Sequence, residues 1–179
     1  MFRLNFSDDL QLGKADSPIA LADAVLAYTG DARMDVRRPV QIRPNRVGRF
    51  HFDLGTKQNI PQYWWHGKIS GGGRLEKSGK ELMFIANAGN DYTGGTDILA
   101  GNLSIQSRYG TPLGSGSVTV QPGALLSGTG KILGGVIIKP TAMLSPGNDD
   151  GSPMRISGTV VFESNKNASK STPSIFRAR

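Results

Sequence analysis

The sequence predicts an all-β fold: a single-stranded, right-handed parallel β-helix followed by a disordered C-terminal tail. Three observations carry that expectation. Glycine is abundant, 24 of 179 residues, and between Ile69 and Val120 it punctuates short apolar runs. Its access to positive φ lets the chain turn every few residues. Residues 118–127 (VTVQPGALLS) and 136–145 (VIIKPTAMLS) align at a constant offset of 18 residues, the kind of fixed period a solenoid turn requires. Between the turns, Leu75, Leu82, Phe84, Ile98, Leu103 and Ile105 supply a narrow line of core side chains.

Residues 1–18 read as a lead-in. The next stretch, 17–30, reads two ways. Ser17 as N-cap, Pro18 at the first helical position and Gly30 after the last turn would frame a helix. The alternation continued by Val36, Val40, Ile42, Val47, Phe50, Phe52 and Leu54 instead favours β structure from about Ile19, so 19–68 is assigned to N-terminal coils.

Residues 69–163 form the glycine-rich repeat region. Strand, glycine turn and strand recur in 96–105, and Gly101 to Gly123 is 22 residues, so one coil carries a longer loop around 108–112. In the aligned copies, alternation sends Val118, Val120, Ala124 and Leu126 to one face and Val136, Ile138, Ala142 and Leu144 likewise, so that Val120 stacks on Ile138. Pro122-Gly123 suits a type II turn, whereas Pro140-Thr141, without glycine, favours type I. Residues 154–162 give a further strand pair. Residues 164–179 have too little apolar content to offset their ordering entropy.

The chemistry open to such a chain is limited. It has 21 Lys and Arg against 14 Asp and Glu, a net charge of +7. The basic residues (Arg33, Arg37, Arg38, Arg43, Arg46, Arg49, Lys131, Lys139, Arg155, Lys166) are scattered and read as a solvated surface with at most general attraction for polyanions, not a specific nucleic-acid site. With no cysteine there is neither a disulfide framework nor a thiolate metal site. Neither histidine has ligand spacing: His51 alternates with Phe50 and Phe52 on an outer face, and His66 has no neighbouring carboxylate or histidine in sequence. No cofactor is implied. Asp149 and Asp150, the adjacent acids of the repeat region, read as turn residues, while Glu76, Glu81 and Asp97 are single carboxylates able to converge only across coils. Tyr63, Trp64 and Trp65 are the one cluster suited to a ligand, because aromatics at an exposed edge stack on sugar rings or bases. The alternative is that one tryptophan caps the core beside Ile60 and Ile69.

The turn Tyr92-Thr93-Gly94-Gly95-Thr96, with Gly72, Gly73, Leu75, Lys77, Gly79 and Leu82 before it and Ala100, Gly101 and Leu103 after it, resembles the autotransporter-associated β-strand repeat of bacterial surface proteins. The resemblance is good from Ile69 to about Gly158 and faint from Ile19 to Trp65. It implies a non-catalytic passenger module, a stalk or adhesin-like element on the cell surface or outside the cell, which aids passenger folding and secretion. A carbohydrate-binding or polysaccharide-degrading β-helix is the alternative. Implied partners are adjacent passenger coils, a translocator barrel and surface glycans or other polyanions. With no apolar leader at residues 1–9 and no terminal barrel, the resemblance implies an excised piece or short relative, whose open strand edges would associate end to end.

Overall fold

The computed structural model describes residues 1–14, 16–30, 32–53, 62–107, 109–148 and 152–164, and the backbone of 175–176. It is a parallel β-solenoid of about seven turns. One sheet runs its length in the order β1 (Phe2–Phe6), β3 (Ala24–Tyr28), β6 (Val47–Phe52), β9 (Arg74–Ser78), β11 (Thr96–Ile98), β13 (Val118–Val120), β15 (Val136–Ile138) and β18 (Val160–Phe162). A second stacks β4 (Met34–Val36), β7 (Tyr63–Trp65), β10 (Leu82–Ile85), β12 (Asn102–Gln106), β14 (Leu125–Ile132) and β16 (Met143–Pro146), and β17 (Met154–Ile156) continues beside β14. A third sheet, β2 (Ile19–Leu21), β5 (Val40–Ile42) and β8 (Ile69–Ser70), closes the early turns. Later turns close by loops that hydrogen-bond in the same direction, as where the Asp91 N–H donates to Ile69 O and the Thr93 N–H to Gly71 O.

Register positions Phe2, Ala24, Gly48, Leu75, Thr96, Val118, Val136 and Val160 follow one another down the long sheet, so successive turns take 22, 24, 27, 21, 22, 18 and 24 residues. The 18-residue offset is thus the shortest turn. Seven rung spacings of ~4.8 Å make a stack about 34 Å long. Val120 pairs with Ile138 and Leu126 with Leu144, and the core is one continuous cluster from Phe6 to Val160.

The solenoid begins earlier than expected. Residues 2–6 of the supposed lead-in are its first rung, paired parallel with β3, and no α-helix occurs among the described residues, 17–30 included. A 3-10 turn, Asp9–Leu12, follows, with Asp8 accepting from the Leu10 N–H. It is held from below by Arg38, which is fully buried and donates to both Asp9 carboxylate oxygens (2.8 and 3.1 Å) and to the carbonyls of Asp9, Leu12, Gly13, Lys14 and Ser17. Arg38 therefore departs from the solvated-surface expectation. A guanidinium has five N–H donors, and by sharing some of them between acceptors Arg38 gathers a loop whose carbonyls have left the ladder.

Strand β10 corrects the expected core line. Its inward residues are Met83 and Ile85, while Leu82 and Phe84 face outward and are only partly covered. A four-residue apolar run, Leu82 to Ile85, has no internal alternation to set its phase. The neighbouring rungs set it instead, through Met83 against Leu103 and Ile85 against Ile105. Of the tail, Ile175–Phe176 forms β19 and pairs antiparallel with β18, and the rest of the disordered-tail expectation lies outside the described residues.

The turn at Thr141 is a second correction. Its φ is +67°, not the negative value of a type I turn. The Lys139 N–H bonds Val120 O and the Met143 N–H bonds Ala124 O, so both ends are clamped to the rung before, where Gly123 has φ +76°. The turn therefore copies glycine geometry with a β-branched residue. Replacing Thr141→Gly removes that strain and is expected to raise unfolding stability by about 1 kcal/mol in urea denaturation; an unchanged or lower midpoint would contradict the account.

Candidate functional site

The repeat-like turn is interior machinery. Tyr92 and Thr96 are fully buried, their hydroxyls 2.6 Å apart, and burial pushes the Tyr92 phenol well up from its ordinary value. Thr93 bonds the preceding rung, Gly95 O accepts from the Leu75 N–H, and the Thr96 N–H donates to Ser117 O, so the turn is strung between both neighbours. A β-carbon at Gly94 would overlap the backbone of Gly73, at Gly116 that of Gly95, and at Gly134 that of Gly116. This corner is a ladder of glycines because backbone stacks directly on backbone there.

Lys77 and Gly101, both in the repeat-like pattern, form one device. Lys77 points inward between Phe50 and Ile98 and is fully buried. Its Nζ donates to the carbonyls of Gly79 (2.7 Å), Ala100 (2.8 Å) and Glu81. Desolvation lowers its pKa to about 7. Gly101 has φ +67°, and a β-carbon there would collide with Nζ. The alternation Leu75-Glu76-Lys77 places the lysine inward, and that was its sequence signal.

Of the three aromatics expected at an exposed edge, two are interior. Tyr63 and Trp65 are each 1% exposed. Tyr63 stacks on Phe52 with centroids 4.5 Å apart, and Trp65 on Phe50 at 4.6 Å. Neither can meet a ligand. Trp64 alone faces outward. It lies nearly parallel to Phe84 (4.1 Å, 12°) and to His66 (5.9 Å), with the Arg33 guanidinium 5.5 Å from its ring. Ile60, expected beside the tryptophans, lies outside the described residues, and Lys68 pairs with Asp91.

Sequence reasoning missed what the fold adds to Trp64. His66 Nε2 sits 3.2 Å from Asp35 Oδ1, a carboxylate 31 residues earlier. Arg33 donates to both Asp35 oxygens, and that bond, then His66, holds the Asp35 carboxyl below its usual range. Phe84 reaches the face through the β10 phase. Sequence spacing gives no sign of Arg33, Asp35 or Phe84 beside Trp64, because they arrive from other turns.

The single-file carboxylates do meet in part, since Glu76 and Asp97 are register partners on β9 and β11. Each is already engaged, Glu76 by Arg49 (Nε to Oε2 2.7 Å) and Asp97 by Arg74 (2.8 Å). His51 is on the outer face of β6, as expected, with Nδ1 3.0 Å from Ser78 Oγ. A corner groove of about 370 Å³ is lined by Asn45, Arg46, Val47, Gly72, Gly73, Arg74 and Gly94, and its arginines are bound by Asp23 and Asp97. Among the described residues no three acid or histidine side chains group as a metal site would need. Asp149 and Asp150 lie outside the described residues. Compared with protein-family models, curated proteins and solved structures, the chain matches none.

Replacing Lys77→Met leaves the buried Gly79 carbonyl and the part-buried Glu81 and Ala100 carbonyls without the lysine donor and is expected to cost about 3 kcal/mol. Urea unfolding checks this, and a loss under about 1 kcal/mol would show that the lysine is dispensable.

Proposed function

We propose that this chain is a non-catalytic structural module, a passenger-type β-helical segment of an exported bacterial surface protein that acts as a stalk or adhesin-like support. The observation that carries this reading is where the outer charges go. Arg46 reaches Asp23, Arg49 Glu76, Lys68 Asp91, Arg74 Asp97 and Lys139 Glu163, each pair joining one turn to the next. Exposed ion pairs contribute only about 0–1 kcal/mol each, so their value is in aligning turns along the axis. The repeat-like residues act in the same direction: Gly94, Gly95, Thr96, Lys77 and Gly101 all join or space neighbouring rungs. Turns that cannot bury their apolar edge alone order by stacking on a neighbour, a property that suits folding outside the cell as the chain emerges.

The test fuses the chain ahead of a bacterial translocator barrel and follows surface display by added protease. Gly95→Val and Gly101→Val are expected to slow display and expose the chain to cleavage, and Arg43→Ala to do neither. Wild-type display rate and protease resistance in both glycine variants would overturn the reading.

The same stacking applies to the ends. Phe2 and Leu4 continue the inward rows on β1 yet are 86% and 47% exposed, leaving an apolar strand edge that recruits chain. Sedimentation velocity at rising concentration is expected to show self-association that Phe2→Lys with Leu4→Lys abolishes; a monomer throughout would contradict it.

A further inference from the structure

We propose that a groove on the flank of the later turns binds an anionic sugar unit of an acidic polysaccharide, its ring on Tyr109 and its carboxylate or sulfate group between Lys131 and Arg155. Tyr109, Ser152, Pro153 and Arg155 line the groove, whose volume is about 200 Å³. Pockets for drug-sized ligands start at ~300 Å³, so this one suits a single sugar of a chain that continues past it. Tyr109 is 81% exposed, yet its backbone is clamped. Ser107 Oγ donates to the Tyr109 carbonyl, the Lys131 N–H of the next turn donates to Gly110 O, and the Thr111 N–H donates to Ala88 O of the turn before. The opposite wall is fixed as well, because the Gly130 N–H donates to Pro153 O and the Asn148 N–H to Ser152 O. A ring held in solvent on a clamped loop adds nothing to the core. It matches the face of a pyranose, which is apolar over its C–H groups and hydroxylated at its rim.

Charge selects the ligand. Lys131 and Arg155, scattered in the sequence, are register partners on β14 and β17. Both are exposed, while Gly130 and Ile132 on either side of Lys131 are buried, so the two cations stand side by side on the outer face. Like charges directly opposite one another are destabilising. The other like-charged register pair of the described strands, Glu76 and Asp97, is neutralised by Arg49 and Arg74. Lys131 and Arg155 have no acidic partner among the described residues. An anion between them removes their repulsion, and a carboxylate or sulfate can accept two parallel N–H bonds from Arg155. One aromatic ring and two cations fit one sugar unit, whereas a nucleic-acid strand needs successive stacking platforms along a charged groove. This site is independent of the stalk reading, and either can fail without the other.

The test titrates the full chain with hexagalacturonate and a sulfated heparin hexasaccharide, which separate carboxylate from sulfate, using calorimetry and chemical-shift mapping. Maltohexaose and a thymidine hexanucleotide serve as the neutral and nucleic-acid controls. At least one acidic hexasaccharide is expected to bind saturably at millimolar concentration or below and more weakly as salt is raised, with shifts centred on Tyr109, Lys131 and Arg155. Tyr109→Ala is expected to weaken it about tenfold, in keeping with the value of a ring contact. Lys131→Glu, which gives Arg155 an opposite charge in register, is expected to abolish binding while the unfolding midpoint stays or rises. Arg37→Glu makes the same change of charge beside β4, four rungs from β14, and is expected to leave affinity as in the parent. No saturable acidic ligand, wild-type affinity in Tyr109→Ala or Lys131→Glu, equal loss in Arg37→Glu, or equal binding of maltohexaose or the hexanucleotide would overturn the proposal.

Discussion

Backbone hydrogen bonding between successive turns is the constraint on which the rest of this structure depends. Each rung both donates to and accepts from the rungs beside it, as where Leu75 N–H bonds Gly95 O and Leu99 N–H bonds Lys77 O, so a turn is satisfied only when it lies flat and in register on its neighbours. Register then fixes which side chains face inward. Turn lengths from 18 to 27 residues are compatible with this because loops absorb the difference while the strands keep their pairing. At the corner leading into the long sheet, the same demand removes side chains altogether, giving the stack of Gly73, Gly94, Gly116 and Gly134. At Thr141 it is strong enough to hold a β-branched residue at positive φ.

Where the backbone leaves the ladder, its polar groups need other partners, and the interior supplies them. Arg38 gathers the carbonyls of the N-terminal loop, and Lys77 those around Gly79, Glu81 and Ala100. Asn90 accepts from the Ile69 N–H and donates to Pro112 O, tying three turns together. Burying a cation is unfavourable unless its donors are matched, and both cations have matched acceptors. Long polar side chains in this core thus repair the irregular parts of a regular ladder. They also explain why the turn motif and Lys77 belong together although Gly101 lies 24 residues from the lysine.

The two outer faces differ in kind. On the long sheet, acids and bases from adjacent rungs neutralise one another, Arg49 with Glu76 and Arg74 with Asp97, which serves cohesion along the axis. On the second sheet, ring stacking from Trp64 to Phe84 gives way to hydrogen-bonded serines and amides, with Ser127 Oγ bonding Asn102 of the rung before. A solenoid allows this division because its inner rows carry the fold, leaving outward positions free to vary from rung to rung.

The period, the glycine punctuation and the inward sets Val118, Val120, Ala124, Leu126 and Val136, Ile138 were legible in the sequence, since side-chain alternation and glycine turns are local properties of the chain. So was the placement of His51. What local pattern leaves open, the stack decided. The phase of Leu82 to Ile85 came from its neighbours, which turned Phe84 outward, and the same pairing buried Tyr63 and Trp65 while turning the half-buried Trp64 outward. Arg38 became a core residue because a loop folded over it, and His66 met Asp35 because their turns are adjacent. Periodicity tells a residue which side of its own strand it occupies, but which residues it faces depends on turn lengths that loops alter freely, and those contacts exist only once one turn lies on another.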